Sequence, residues 1–248
     1  MVPEAELVSR LPDRSMQPTN AGRPDDVGPQ PSPVRFGPYL FSGLFTEELP
    51  FVSGGTSQVS PESSVITLVI ARLNDRAQPM DRGELYEDPL HALLQSRDWG
   101  EVSGGGSQLA ASGEIAYCEV EIGLNTVSPT ILDGIAAELE RCGAPKGSLL
   151  RGEAIGADRP FGATEGLAVY LNGTDLPDAT YRDCDVNFAF SEFNRLLQGQ
   201  GKIHSYWQGP TETALYLYGT SFESMRAALT PFLHSYPLCE RARVVQVA

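Results

Sequence analysis

The chain has 248 residues, 32 acidic against 18 basic side chains, a formal net charge of −14 and a hydrophobic share of 41%. That length suits one large or two small domains with ordinary cores. The charge argues against nucleic acid and against an anionic membrane, because both demand clustered Lys and Arg.

No stretch approaches the roughly 20 apolar residues of a membrane span, and residues 1–10 lack the basic start and apolar run of a secretory signal. The expected location is therefore the cytoplasm. Residues 1–35 are rich in Pro, Asp, Arg, Gln and Ser, cannot repay the entropy of ordering, and are expected to form a disordered tail. Residues 36–63 differ. They hold Phe36, Tyr39, Phe41, Phe45 and Phe51 in a short space, as an aromatic arm laid on the unit that follows.

From residue 64 the pattern becomes regular. Residues 65–73 (VITLVIARL) form an apolar, β-branched run suited to a central strand. Asp88-Pro89 opens a helix whose stripe is Leu90, Leu93 and Leu94. Glu101-Val102 and residues 114–122 are the next two strands, with Ser103-Gly104-Gly105-Gly106-Ser107 expected as the tight turn between them. Ser128-Pro129 starts a second helix carrying Ile131, Leu132, Ile135, Leu139 and Cys142, and Gly143 stands where a left-handed C-terminal residue belongs. Residues 147–150 close this copy.

After a break of glycine, proline and charge over 152–162, the order recurs. Residues 166–171 are a strand, and 185–198 a helix with Val186, Ala189, Phe190, Phe193 and Leu197 on one side. Residues 202–207 and 213–218 pair as a hairpin around Gln208-Gly209-Pro210. Ser221 caps a helix with Phe222, Met225, Leu229 and Phe232 inward, and 243–247 complete a sheet. Strand, helix, two strands, helix, strand, written twice, is the wiring of a ferredoxin-like fold. The expected architecture is α+β: a tandem of duplicated ferredoxin-like (βαββαβ) units with antiparallel sheets, residues 64–155 and 163–248.

That fold hosts enzymes, sensors and binding proteins alike, so function must come from particular residues. The glycine run has no neighbouring lysine and joins two strands, unlike a phosphate loop. His91, His204 and His234 stand apart, and Cys118, Cys142, Cys184 and Cys239 have no ligand spacing, so no metal site and no cofactor are expected. No nucleotide or hydrolase signature occurs.

Two surfaces remain. Glu119 and Glu121 share a strand face by period two; with Glu101, Glu114, Glu84, Glu87 and Asp88 they form an acidic surface in the first copy. The leading expectation is a non-catalytic, inhibitor-like or immunity-like protein that binds a basic protein partner there, with no nucleic acid and no membrane. His204, Tyr206, Trp207, Tyr216 and Tyr218 crowd two neighbouring strands of the second copy, with His204 and Tyr206 on one face by parity. They are candidates for a small-molecule pocket between the copies, the second expectation, that of a sensor. A haem or other enzyme on a duplicated ferredoxin-like scaffold shares only topology and approximate length.

Overall fold

The β-branched run after residue 65 is β1 (Thr67–Leu73), with Val69, Ala71 and Leu73 fully buried in alternation. The computed structural model describes residues 66–248, and the expected tail over 1–35 and the arm over 36–63 lie outside the described residues. β1 leads into a short helix, α1 (Pro79–Arg82), a π-helical turn (Gly83–Glu87) and α2 (Asp88–Ser96). β2 (Gly100–Leu109), β3 (Ile115–Leu124), α3 (Pro129–Cys142), β4 (Ser148–Arg151) and β5 (Arg159–Phe161) follow. The second copy consists of β6 (Glu165–Asn172), α4 (Asp178–Asp183), α5 (Val186–Leu196), β7 (Gly201–Gln208), β8 (Glu212–Gly219), α6 (Phe222–Ser235) and β9 (Arg243–Gln246).

Strand order is β2-β3-β1-β4-β5 in the first sheet and β7-β8-β6-β9 in the second, with antiparallel pairing throughout both. Two α+β copies of the ferredoxin-like order are thus present. Their helix boundaries follow local chemistry. Ser128 Oγ accepts from the Ile131 N–H at the start of α3, and Gly143 at its end has φ +105°, a left-handed angle that costs glycine nothing. Asp185 and Ser221 cap α5 and α6 in the same manner, each cap worth about 0.5–2 kcal/mol.

In the first copy, α2 and α3 cover the sheet face that carries Val69, Ala71, Val120 and Ile122. In the second, Phe193 and Leu197 of the α5 segment and Met225 and Leu229 of α6 cover Leu167, Val169, Leu215 and Leu217. The opposite face of the first sheet presents Leu68, Ile70 and Arg72 on β1 and Tyr117, Glu119 and Glu121 on β3, since these alternate with the buried positions.

The glycine run is not a turn. Ser103 to Ser107 lies within β2, broken by a bulge between Val102 and Gly104, and the reversal falls at residues 110–113. The reason is packing: a Cβ on Gly105 would stand 2.7 Å from the Glu119 carbonyl, 2.8 Å from Glu87 Oε1 and 2.9 Å from Arg82 Nε. The strand has no side chain there because the Arg82–Glu87 ion pair lies across it, with Arg82 also donating to the Gly106 carbonyl and Ser107 Oγ.

Candidate functional site

The polar loop after β1 brings the two copies together. Asp75 is fully buried, and its Oδ2 accepts from the Tyr86 hydroxyl at 2.5 Å and lies 2.7 Å from His204 Nδ1. Tyr86 is presented by the π-helical turn, a wider helical form often found at functional sites. Burial first, and then the Asp75 charge, push the Tyr86 hydroxyl well above its ordinary range, so it stays protonated and donates. Asp75 Oδ1 is buried without a partner among the described residues. Next to it the Arg76 N–H donates to the Tyr218 hydroxyl at 3.0 Å, Ser205 Oγ donates to the Arg76 carbonyl at 2.7 Å, and Gln78 Nε2 donates to the Tyr206 carbonyl at 2.8 Å.

An aspartate on a histidine is half of an acid–base relay. Here it works as a clasp: the ring is stacked 4.6 Å from Tyr218, and no hydroxyl or thiol is hydrogen-bonded to it among the described residues.

A second carboxylate ties the same junction. Glu114, at the start of β3, accepts from the Tyr170 and Tyr216 hydroxyls at 2.7 Å each through Oε1 and from Ser112 Oγ at 2.8 Å through Oε2, with Arg76 Nη1 at 3.5 Å. Burial raises its pKa, but the three hydroxyl donors and Arg76 outweigh that and hold the carboxyl below its ordinary value of 4.5. Burial, followed by the bond to Glu114, pushes the Tyr216 phenol far up.

Beside this network lies a cleft of about 220 Å³ lined by Arg76, Gln78, Leu109, Ile115, Tyr206, Trp207 and Tyr216, among others. Tyr206 is 43% and Leu109 58% exposed, so an apolar rim surrounds a floor that holds a guanidinium and an amide. Tyr117, with the Arg72 guanidinium 3.8 Å over its ring, lies apart from the cleft: Gln108 pairs with Tyr117 and its neighbour Leu109 with Ile115, so the bulge there turns Tyr117 to the opposite sheet face from Ile115. Ring surface is thus offered at two separate places, the cleft and the Arg72–Tyr117 stack on the helix-free face of the first sheet.

The residues singled out by sequence fall into different places. Tyr206, Trp207 and Tyr216 line the cleft, whereas Tyr218 and His204 are buried in the junction behind it. His204 and Tyr206 do not share a face. A bulge between Ile203 and Ser205 resets the alternation at His204 and turns its ring toward Asp75. Of the acidic set, Glu84, Asp88, Glu101 and Glu121 are exposed, Glu119 is half-buried on the helix-free face opposite Arg72, Glu87 is paired with Arg82, and Glu114 is enclosed in the junction. Asp75, Tyr86, Arg76 and Tyr170 are functional neighbours that sequence reasoning missed. The row of tyrosines at 170, 216 and 218 was the available signal, since hydroxyls on a covered face require acceptors. Among the described residues no group of three or more His, Cys, Asp or Glu could hold a metal ion, and no helix is long and apolar enough to cross a membrane.

No protein family matches the chain, and no curated protein matches it. Among solved structures it is similar to the first two RRM domains of yeast poly(U) binding protein (Pub1), at 13% identity over 73% of this chain and 99% of that one, with a TM-score of 0.20.

Two expectations are corrected. The acidic docking face for a basic protein does not exist as a continuous free surface, because Glu114 is bound by Tyr170 and Tyr216, Glu87 by Arg82, and the face carrying Glu119 and Glu121 also carries Leu68, Ile70 and the Arg72–Tyr117 stack. The five aromatic candidates do not act as one pocket: Tyr218 and His204 are buried in the junction that holds the copies together, and only Tyr206, Trp207 and Tyr216 line the cleft. The exclusion of nucleic acid is corrected as well: it rested on net charge alone, whereas locally the cleft holds the Arg76 guanidinium among rings and Arg72 lies over Tyr117.

Proposed function

We propose that this protein binds single-stranded nucleic acid through its bases, with one unpaired base seated in the cleft of Tyr206, Trp207 and Tyr216 and the Arg72–Tyr117 stack serving as a second, separate platform further along the strand. The observation that carries the reading is the cleft itself, where the rings of Tyr206, Trp207 and Tyr216 meet the Arg76 guanidinium and the Gln78 amide. Every base offers a π-face to such a platform, and each stacked base contributes about 1–3 kcal/mol. Gln78 and Arg76 on the cleft floor supply polar groups for a base edge. Glu119 and Glu121 share the sheet face of Tyr117 and disfavour phosphates there, so the net charge of −14 limits backbone contacts without preventing stacking. Two or three stacked rings correspond to a Kd on the order of 0.1–1 mM. The four thiols are free, which supports a reducing compartment, the cytoplasm.

The test is fluorescence anisotropy of labelled U10 and A10 RNA at 50 and 200 mM salt. Binding is expected with a log–log salt slope smaller than about 1, against about 0.7 for each phosphate neutralised on a single strand. Trp207→Ala and Tyr117→Ala should each weaken it about 5- to 100-fold. Absence of binding at millimolar protein, or binding indifferent to both substitutions, overturns the reading. Free uridine binding as tightly as U10 overturns the nucleic-acid assignment.

A further inference from the structure

Every open sheet has two edges, and an edge strand with unpaired backbone groups is a template for another strand. Three of the four edges here are protected. On β2 the Val102 N–H donates to His91 Nδ1 and the Gly106 carbonyl accepts from Arg82. On β7 the Ile203 N–H donates to Asn194 Oδ1 and the Tyr206 carbonyl accepts from Gln78. β5 is three residues long with Pro160 at its centre, a residue that cannot donate.

β9 is the exception. It pairs with β6 on one side only, in the register Leu167↔Gln246 to Tyr170↔Arg243. The Val247 N–H donates to the Gly166 carbonyl, so antiparallel alternation puts Val245 and Arg243 in hydrogen-bonded positions and turns the N–H and C=O of Val244 and Gln246 outward. Among the described residues no side chain caps those groups. Alongside this edge runs a groove of about 1010 Å³ between β9 and the C-terminal half of α6, lined by Arg226, Leu233, His234, Arg241, Ala242 and Val244 with other residues of the turn between them. Its formally charged lining is Arg226 and Arg241 against one carboxylate, Glu240; Arg226 lies 3.8 Å from Glu223, and Arg241 is a guanidinium with no carboxylate partner among the described residues, on a chain whose net charge is −14.

We propose that β9 accepts an extended acidic segment of a protein partner as a fifth strand of the second sheet, with its apolar side chains in the groove against Leu233, Ala242 and Val244 and its carboxylates beside Arg226 and Arg241. Main-chain hydrogen bonds to Val244 and Gln246 supply affinity, and the groove supplies specificity by alternate side chains. This surface is separate from the nucleic-acid cleft and stands or falls independently of it.

The experiment titrates the ¹⁵N-labelled full chain with a blocked decapeptide alternating valine and glutamate, with its valine–lysine counterpart, and with the glutamate peptide N-methylated on every second residue. Expected are shifts confined to the amides of β9 and the end of α6, slowed hydrogen exchange at Val244 and Gln246, and binding of the glutamate peptide at least tenfold tighter than the lysine peptide at low salt. Arg226→Glu with Arg241→Glu should abolish that preference. Gln246→Pro, which removes one outward donor from an exposed position, should weaken binding about tenfold, as should N-methylation on the peptide's facing edge, a control independent of how any variant folds. Equal binding of the two peptides, no shifts in β9, or affinity unchanged by N-methylation at either set of alternate residues overturns the proposal. A self-association seen by sedimentation equilibrium and abolished by Gln246→Pro assigns the edge to a second copy of this chain and likewise overturns it.

Discussion

Glu114→Ala is the sharpest perturbation of the junction. The carboxylate oxygen Oε1 holds two tyrosine hydroxyls at 2.7 Å, and neither tyrosine can turn to water, since Tyr216 is 1% and Tyr170 7% exposed. Removing the acceptor leaves two buried donors, at about 1–3 kcal/mol each. The Arg76 pair, at 3.5 Å and partly exposed, adds no more than about 1 kcal/mol. The expected loss is therefore about 3–5 kcal/mol, or roughly 6–20 °C in Tm for a domain of this size. Glu114→Gln separates geometry from charge. Its amide oxygen can accept from both tyrosines, so the loss should be only about 1–2 kcal/mol. Urea unfolding followed by near-ultraviolet and far-ultraviolet circular dichroism measures both, with Glu121→Ala on the open face expected within about 0.5 kcal/mol of the native protein. If Glu114→Ala stays within about 1 kcal/mol, or Glu114→Gln costs as much as it does, the carboxylate does not hold the two copies together.

The same carboxylate makes a pH prediction. Its folded pKa lies below the ordinary 4.5, so its stabilisation is fully present above that value and is lost as pH falls through the lower folded value. The advantage of the native protein over Glu114→Gln in urea midpoint should shrink between pH 5 and pH 3, and an advantage unchanged at pH 3 contradicts the assignment. Gly105→Ala should cost about 1–3 kcal/mol by displacing Arg82 and Glu87, whereas a Cβ on Gly106 meets nothing within 4 Å and Gly106→Ala should be neutral or mildly stabilising. Equal thermal shifts for the pair speak against the packing account of the glycine strand. Gly209→Ala places a methyl where the Trp207 ring lies. It should weaken U10 binding severalfold with Tm changed by only a few degrees, and unchanged affinity contradicts the placement of Trp207 in the nucleic-acid site.

The duplicated order was legible because its signals are local. Caps at Ser128, Asp185 and Ser221, the left-handed Gly143 and the β-branched run of β1 each act over a few residues. What escaped depends on contacts distant in sequence. The glycines of β2 carry the same local signature as a hairpin turn, and only the Arg82–Glu87 pair lying over Gly105 decides for a strand. The bulge at His204 has no glycine or proline to announce it; it follows from the pull of Asp75, 129 residues away. Asp75 itself sits in an Asn-Asp-Arg stretch that resembles any polar loop, and Glu114 follows Ser112-Gly113, where alternation alone cannot say whether the side chain meets water or tyrosines.

The two copies share a fold and differ in what their helix-free faces carry, and that difference orders the whole molecule. The second sheet bears Ala168, Tyr170, Ala214, Tyr216 and Tyr218 there, small residues beside rings tipped with hydroxyls. Such a face can be covered only by a surface that brings acceptors, and the first copy supplies Glu114 to Tyr170 and Tyr216 and the clasp of Asp75 to Tyr86 and His204. Hydrogen bonds to charged oxygens are short and directional, so they fix the angle of the junction more tightly than apolar contact of equal area. The first sheet bears Leu68, Ile70, Arg72 and Tyr117, with glycines at 104 and 106 that leave the neighbouring strand flat on that side. The cleft forms where the two copies meet, with Ile115 and Leu109 from one and Tyr206, Trp207 and Tyr216 from the other. Duplication thus supplied one sheet as an anchor, and the positions of the cleft walls are set by two carboxylates, the buried Asp75 and the part-buried Glu114.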